Sequence, residues 1–190
     1  MLILGSSSAR RKELLESASI AFELVPNGFD ERTVIYNDDP EDYCQTLALK
    51  KAEYLLDKYP NKVILTADTI VEIEGDILGK PKDAFEAIEM LNRLNEKRHR
   101  VYTGVCIVSG NQSDVFFESA SVTFKKISSL DIERYVKTNE PMDKAGAYAI
   151  QGIGSKFIEA YEGDFHTIMG LPLKTVLKKL EAFGIYPNLK

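Results

Sequence analysis

Apolar and polar positions along this chain follow two rhythms, one of period two and one of period 3.6. Met1 to Leu4 reads as a short strand at 2–4, and the stretch after it predicts a helix over 8–18. Ala21 to Val25 predicts a second strand, followed by a polar loop at 26–39 that carries Asp30, Glu31 and Arg32. A helix over 40–58 opens with Pro40, which suits the first helical position. Val63 to Ala67 is a buried strand, and Thr69 to Ile73 either continues it or pairs back. Glu74-Gly75-Asp76 is a turn, and the loop from Leu78 to Lys82 enters a helix over 83–95. Two long strands near 98–109 and 114–126 meet at Gly110-Asn111. Ser128 or Ser129 caps a short helix at 130–138, and Asn139 to Ala145 is a loop. Strands follow at 147–150 and 156–161, with a turn at Glu162-Gly163-Asp164. A last helix over 171–183 contains Pro172 and stops at Gly184. Strands and helices alternate early and hairpins dominate later, which predicts an α/β fold on a mixed sheet.

The join between the first strand and the first helix carries a chemical signal. Gly5-Ser6-Ser7-Ser8 leads straight into Ala9-Arg10-Arg11-Lys12. The first N–H groups of a helix lack internal partners, and the dipole there favours an anion. The same dipole disfavours Arg10 and Arg11 in the first turn, so an anion such as phosphate is expected to offset them. The plainer alternative makes Ser8 an N-cap and leaves both arginines solvated. Neither the P-loop pattern nor the dinucleotide glycine fingerprint is present.

Composition narrows the field. The chain has 190 residues, 44% hydrophobic and 28% charged, which suits one domain over 1–190 or two small lobes on a shared core. A net charge of −5 argues against broad affinity for nucleic acid or an anionic membrane, so any cations that bind an anion must be gathered locally. No apolar run reaches a membrane span, and the N-terminal run is too short for a signal-peptide core; a cytoplasmic location is expected. Cys44 and Cys106 read as buried thiols. His99 and His166 stand apart, so no zinc cluster can be drawn.

The helix at 40–58 holds an anomaly. Tyr43, Cys44, Leu47, Ala48, Tyr54 and Leu55 share one arc, and Lys51 sits near its centre. Lysine is rarely buried without a partner, although its stem can lie along apolar surface with the head in water. The central position favours a site lysine facing a cleft. Asp68 ends the apolar run from Val63, where a carboxylate is either a turn former or a catalytic group able to hold a metal or deprotonate water. Lys80 stands in a rigid loop between Gly79 and Pro81. The block from Glu140 to Gly152 packs Asp143, Lys144, small residues and Gln151 together, where the plain reading is a hairpin with a salt bridge. Gly170-Leu171-Pro172-Leu173 reads as a helix entry. Five cations (Arg10, Arg11, Lys51, Lys80 and Lys144) stand with Glu31, Asp68 and Asp143 in an acidic chain, which points to a polyphosphate clamp with bound Mg²⁺ or Mn²⁺.

The chain carries, in order, Ser6-x-Ser8-x-Arg10-Arg11-x-Glu13-Leu14-Leu15, Ala67-Asp68-Thr69-Ile70-Val71, Leu78-Gly79-Lys80-Pro81, His99-x-Val101-x-Thr103-Gly104-Val105, Glu140-Pro141-Met142-Asp143-Lys144-Ala145-Gly146-Ala147-Tyr148-x-Ile150-Gln151-Gly152 and Gly170-Leu171-Pro172-Leu173. In order and spacing these motifs resemble those of the Maf family of nucleotide pyrophosphatases. The resemblance covers nearly the whole chain. It implies an elongated mixed β-sheet flanked by helices, in two lobes with a central cleft, similar to inosine triphosphate pyrophosphatase. It implies hydrolysis of a nucleoside triphosphate to monophosphate and diphosphate with a divalent metal, Mg²⁺ or Mn²⁺. Asp68 would activate water, Lys51 and Lys80 would assist, and Glu31 with Asp68 would serve the metal. Ser6, Ser8, Arg10, Arg11, Thr69, Asp143, Lys144 and Gln151 would bind substrate. Arg11, Thr69 and Gln151 match the branch acting on dTTP and UTP, modified forms included, and a homodimer is expected from the family alone. Two positions depart from the family pattern: Gly5 stands where Ala is usual and Ala9 where Pro is usual. Neither removes a charge, so activity is expected to survive. The alternatives are a phosphatase releasing orthophosphate and a nucleotide-binding regulator of cell division without required catalysis. Loss of Asp68 or Lys51 would favour the regulator, and both are present.

Overall fold

The computed structural model describes residues 1–188. They form an α/β fold on a mixed sheet of seven strands, hydrogen-bonded in the order β2-β1-β3-β5-β6-β7, with β4 on β3. The chain divides into two compact units, each assembled from separate stretches. Unit 1 is Met1–Asp68, Thr103–Glu118 and Gly170–Lys190; unit 2 is Thr69–Tyr102 and Ser119–Met169. Three long strands, β3 (Val63–Ile73), β5 (Arg98–Ser109) and β6 (Gln112–Phe124), contribute residues to both.

In unit 1, β1 (Leu2–Leu4) is fully buried and pairs parallel with β2 (Phe22–Leu24) and with β3. Its register sets Ile3 against Glu23 on one side and Ile64 on the other. Between β1 and β2 lies α1 (Ala9–Ser17), whose buried residues are Leu14 and Leu15. The 17-residue α2 (Pro40–Leu56) begins where Asp39 accepts the N–H groups of Glu41 and Asp42, a cap worth about 1 kcal/mol. Its face of Ala48, Ala52 and Leu55 packs on Ile3, Ile64, Cys106 and Val108. At Gly104 the backbone of β5 comes so close to α2 that a Cβ there would lie 2.2 Å from the Cys44 carbonyl oxygen. Burial of Cys44 and Cys106 as free thiols matches expectation. The last long helix, α6 (Leu173–Leu180), runs into a 3₁₀ turn at Glu181–Phe183 that Gly184 ends at φ +69°.

In unit 2, β4 (Asp76–Leu78) pairs antiparallel with the end of β3, aligning Val71 with Leu78. Packed together are α3 (Ala84–Leu94) and α4 (Ser129–Val136), and Ser128 is the residue that caps α4. Edge strand β7 (Ile158–Glu162) runs antiparallel to β6, with an irregularity at Thr123/Phe124. Phe124, Tyr135, Tyr148 and Phe157 form an aromatic core, with Phe124 and Tyr148 centroids 4.8 Å apart and Tyr135 and Phe157 5.0 Å apart. A one-turn helix, α5 (Phe165–Met169), closes the unit.

Four local expectations fail. Residues 147–150 are not a strand: Gly146 (φ +69°) and Ala147 (φ +60°) turn left-handed inside a 3₁₀ turn, which no strand tolerates. Strand β7 starts at Ile158, because 153–157 coil into another 3₁₀ turn. The segment assigned to a turn and loop at 76–78 pairs as β4, and α5 was not anticipated. Ser8 stands at the N-cap position of α1 but its side chain caps nothing; instead its N–H donates to Ser6 Oγ at 3.1 Å.

Candidate active site

The parallel pairing of β1 and β3 carries Ser6 and Asp68 beyond the ends of their paired segments in unit 1. Gly5 N–H donates to the Leu65 carbonyl at 2.9 Å, which fixes where the β1 chain leaves the sheet. Ser6 follows, 5% exposed, and its Oγ accepts both the Ser8 N–H and, at 3.3 Å, an Arg11 guanidinium N–H. Arg11 Nε donates to the Gly170 carbonyl at 2.7 Å. The expected helix-entry segment 170–173 therefore also orients Arg11. Arg11 has its pKa drawn down to about 10: desolvation is the main cause and Arg10 adds to it, while Asp68 and Glu31 oppose it. It stays protonated at neutral pH and is poorly hydrated, a state that favours an anionic ligand.

Lys51 is 8% exposed, as its place on the apolar arc foretold. Its ammonium donates to Asp68 Oδ1 and pairs with Glu31 Oε1 at 2.7 Å. Asp68 is buried to the same degree, whereas the Glu31 side chain is half exposed. Three contacts hold this group. Thr66, two residues before Asp68 on β3, donates its hydroxyl to the Ala48 carbonyl of α2 at 2.6 Å. Asn27 donates its amide to the Lys51 carbonyl at 2.9 Å and accepts the Phe29 N–H at 3.0 Å. Asn27 thereby ties the loop that carries Glu31 to the helix that carries Lys51. The third is the close approach at Gly104. Tyr43 lies near enough that its pKa rises, first by desolvation and then by the charges of Asp68 and Glu31. Burial, with help from Asp68, pushes the Cys44 thiol up to about 12, so it remains protonated at neutral pH.

Unit 1 thus brings together Arg10, Arg11 and Lys51 with Asp68 and Glu31, a local charge of one positive in a chain of net −5. Among the described residues no three His, Cys, Asp or Glu side chains gather as a metal cage. Asp68 and Glu31 are the two oxygen donors at this place, a set that suits a hard cation completing its shell with phosphate and water.

Unit 2 places the other expected residues. Lys144 Nζ contacts Asp143 Oδ1 at 2.5 Å and the Glu140 carbonyl at 3.1 Å. Gly146 N–H donates to the Gly79 carbonyl at 3.0 Å, joining the loop of Lys144 to that of Lys80. Lys80 and Gln151 are exposed, and Thr69 is half-buried. Asn27, Thr66 and the Gly170 carbonyl were missed. Each acts on or through a main-chain carbonyl, and that leaves no residue pattern to find.

The family description Maf-like protein matches residues 1–183. A dTTP/UTP pyrophosphatase of Acholeplasma laidlawii (strain PG-8A) is 66% identical over 190 residues, covering 100% of both chains. One from Bacillus cereus (strain G9842) is 45% identical over 184 residues, 97% of this chain and 96% of the other. A solved HAM1 protein from Coxiella burnetii shares the fold at 13% identity and a TM-score of 0.50, covering 95% of this chain and 98% of that one.

Proposed function

The chain belongs to the family of Maf-like proteins, and we propose from that premise that it hydrolyses dTTP and UTP to the monophosphate and diphosphate. It is a nucleotide pyrophosphatase, and we take residues 1–190 together as one catalytic domain. The observation that carries the reading is the Lys51 ammonium set between the Asp68 and Glu31 carboxylates with Arg11 as electrostatic neighbour.

The reaction needs a water oxygen to attack the α-phosphorus while the bond to the bridging oxygen of diphosphate breaks. Asp68 takes the proton from that water. Lys51 occupies Asp68 Oδ1, which orients the carboxylate and leaves Oδ2 as the accepting atom. Arg11, held by Gly170 and Ser6, presents its remaining N–H groups to phosphate oxygens, and Arg10 adds positive charge. Ser8 and Ser6 offer hydroxyls to the same anion. Neutralising the leaving diphosphate is where most of the rate comes from, with positioning supplying the rest. Mg²⁺ or Mn²⁺ fits the two-carboxylate donor set of Asp68 and Glu31, and when bound it supplies further neutralisation of phosphate charge. Thr69, Asp143, Lys144 and Gln151 are assigned to substrate binding and Lys80 to charge neutralisation, on the strength of the family motifs. Gln151 carries an amide able to donate to and accept from a pyrimidine base.

Among the described residues no helix is long and apolar enough to cross a membrane. The acidic net charge supports a small-molecule substrate rather than a nucleic-acid partner, and a cytoplasmic location is part of the same proposal. The homodimer remains part of the proposal on family grounds.

The test is to incubate wild type and an Asp68→Asn variant with UTP, dTTP and Mg²⁺ and to assay diphosphate and orthophosphate separately. Diphosphate from wild type alone is expected. Orthophosphate as the sole product would move the chain to the phosphatase class. Nucleotide binding without any product would favour the regulator.

A further inference from the structure

Gln151 lies at the exposed tip of a segment that is anchored on both sides within unit 2. On one side the Ala149 N–H donates to the Tyr135 hydroxyl at 3.3 Å. On the other, the N–H groups of Ile153 and Gly154 donate to the two oxygens of Glu140, at 3.0 and 2.9 Å. The Tyr135 hydroxyl itself donates to Glu140, so one carboxylate and one phenol close both anchors. The fit is tight. A Cβ on Gly152 would lie 2.2 Å from Glu140 Oε1, and one on Gly154 would lie 2.5 Å from the Tyr135 oxygen. Gly152 also sits at φ +89°, a conformation that other residues rarely adopt. Burial alone would raise the Glu140 pKa, but the Ile153 N–H, the Tyr135 hydroxyl and the Gly154 N–H outweigh it and hold the group ionised. An exposed glutamine on an unanchored loop would lose rotational and backbone freedom on meeting a ligand; here the backbone freedom is already spent.

We propose that Glu140 and Tyr135 are positioning residues that fix the backbone of Gln151 for recognition of the pyrimidine base. This rests on the reading that Gln151 contacts the nucleotide. Neither Glu140 nor Tyr135 touches substrate; both act through the main chain of residues 149–154. Tyr135→Phe removes only the hydroxyl, and the ring keeps its edge-on contact with Phe157. Glu140→Gln leaves one good acceptor where there were two.

The test is a double-mutant cycle on KM and kcat for UTP, with melting temperature recorded for each variant. Gln151→Ala is expected to raise KM. Tyr135→Phe and Glu140→Gln are each expected to raise KM by roughly three- to tenfold, the worth of one hydrogen bond, with kcat nearly unchanged. In the Gln151→Ala background the same two substitutions are expected to leave KM where Gln151→Ala put it. An equal rise in KM in both backgrounds, or no rise in a folded Tyr135→Phe variant while Gln151→Ala does raise it, overturns the positioning role alone. An unchanged KM in Gln151→Ala overturns the assignment of Gln151 to the nucleotide, and the positioning role with it.

Discussion

Replacing Lys51 with methionine probes the centre of the site, because it keeps the stem and removes the charge. Lys51 faces Glu31 at 2.7 Å, where an effective dielectric of about 20 gives a gross attraction of about 6 kcal/mol. Little of that is net. The Glu31 side chain is 53% exposed, so water screens it and its share falls to about 1 kcal/mol or less. Asp68 differs: its side chain is 11% exposed, and without Lys51 its carboxylate stays buried, loses its hydrogen-bonded ammonium and keeps only the charge of nearby Arg11. Stranding one partner of a buried pair costs about 3 kcal/mol, which dominates the estimate. For a domain of 190 residues that lowers the melting temperature by about 6–12 °C. Lys51→Met/Asp68→Asn removes both charges and is expected to recover most of this loss, while activity stays low in both. Urea denaturation of wild type, both single variants and the double variant gives the coupling energy. If the double variant is as unstable as Lys51→Met, the loss comes from packing, and the claim that Lys51 is held by its charge partners is wrong. Activity of Lys51→Met is expected to fall by ~10²–10³, as for loss of a group that stabilises developing charge.

Other outcomes follow from the same structure. Thr66→Val removes the hydroxyl bonded to Ala48 while keeping the side-chain volume; a loss of about 1 kcal/mol in urea denaturation is expected, with kcat reduced more than KM rises. Gly5→Ala brings a Cβ to 2.4 Å from Leu55 Cδ1 and 2.9 Å from Thr66 Cγ2, so it is expected to cost about 1–3 kcal/mol. Gly104→Ala meets the main chain of Cys44 instead and is expected to melt lower than Gly5→Ala in the same thermal scan. His99, 2% exposed, is held neutral by burial with its pKa lowered from 6.5 to about 4. The unfolded chain therefore binds the extra proton first. Stability is lost as pH falls from 6.5 toward 4, by about 3 kcal/mol at the limit. Denaturation at pH 7.5 and 4.5 should show a smaller difference for His99→Gln than for wild type.

The parts of the site that rest on side-chain chemistry were legible in the sequence. Lys51 broke the apolar arc of its helix, and the structure pairs it with two carboxylates; Asp68 read as the end of a strand, whereas β3 runs on through it to Ile73. Ser6 and Arg11 stood at a strand-to-helix join, and in the fold the Arg11 guanidinium donates to the Ser6 hydroxyl. What escaped rests on main-chain geometry. Ser8 fits the pattern of a cap, yet its N–H turns back to Ser6. Residues 147–150 are apolar enough for a strand, but positive φ at Gly146 and Ala147 diverts them, and apolar spacing does not encode φ. Strand β4 has three residues, too few for periodicity to register. The carbonyls of Ala48, Lys51 and Gly170 accept the bonds that hold the site, and every residue type carries a carbonyl.

The central claim is that water, activated at Asp68, attacks the α-phosphorus. Hydrolysis of UTP in ¹⁸O-labelled water, with the products separated and weighed by mass spectrometry, tests it most directly. One ¹⁸O is expected in UMP and none in diphosphate. Label in diphosphate would place the attack on the β-phosphorus, and labelled orthophosphate beside UDP would place it on the γ-phosphorus; either result contradicts the account.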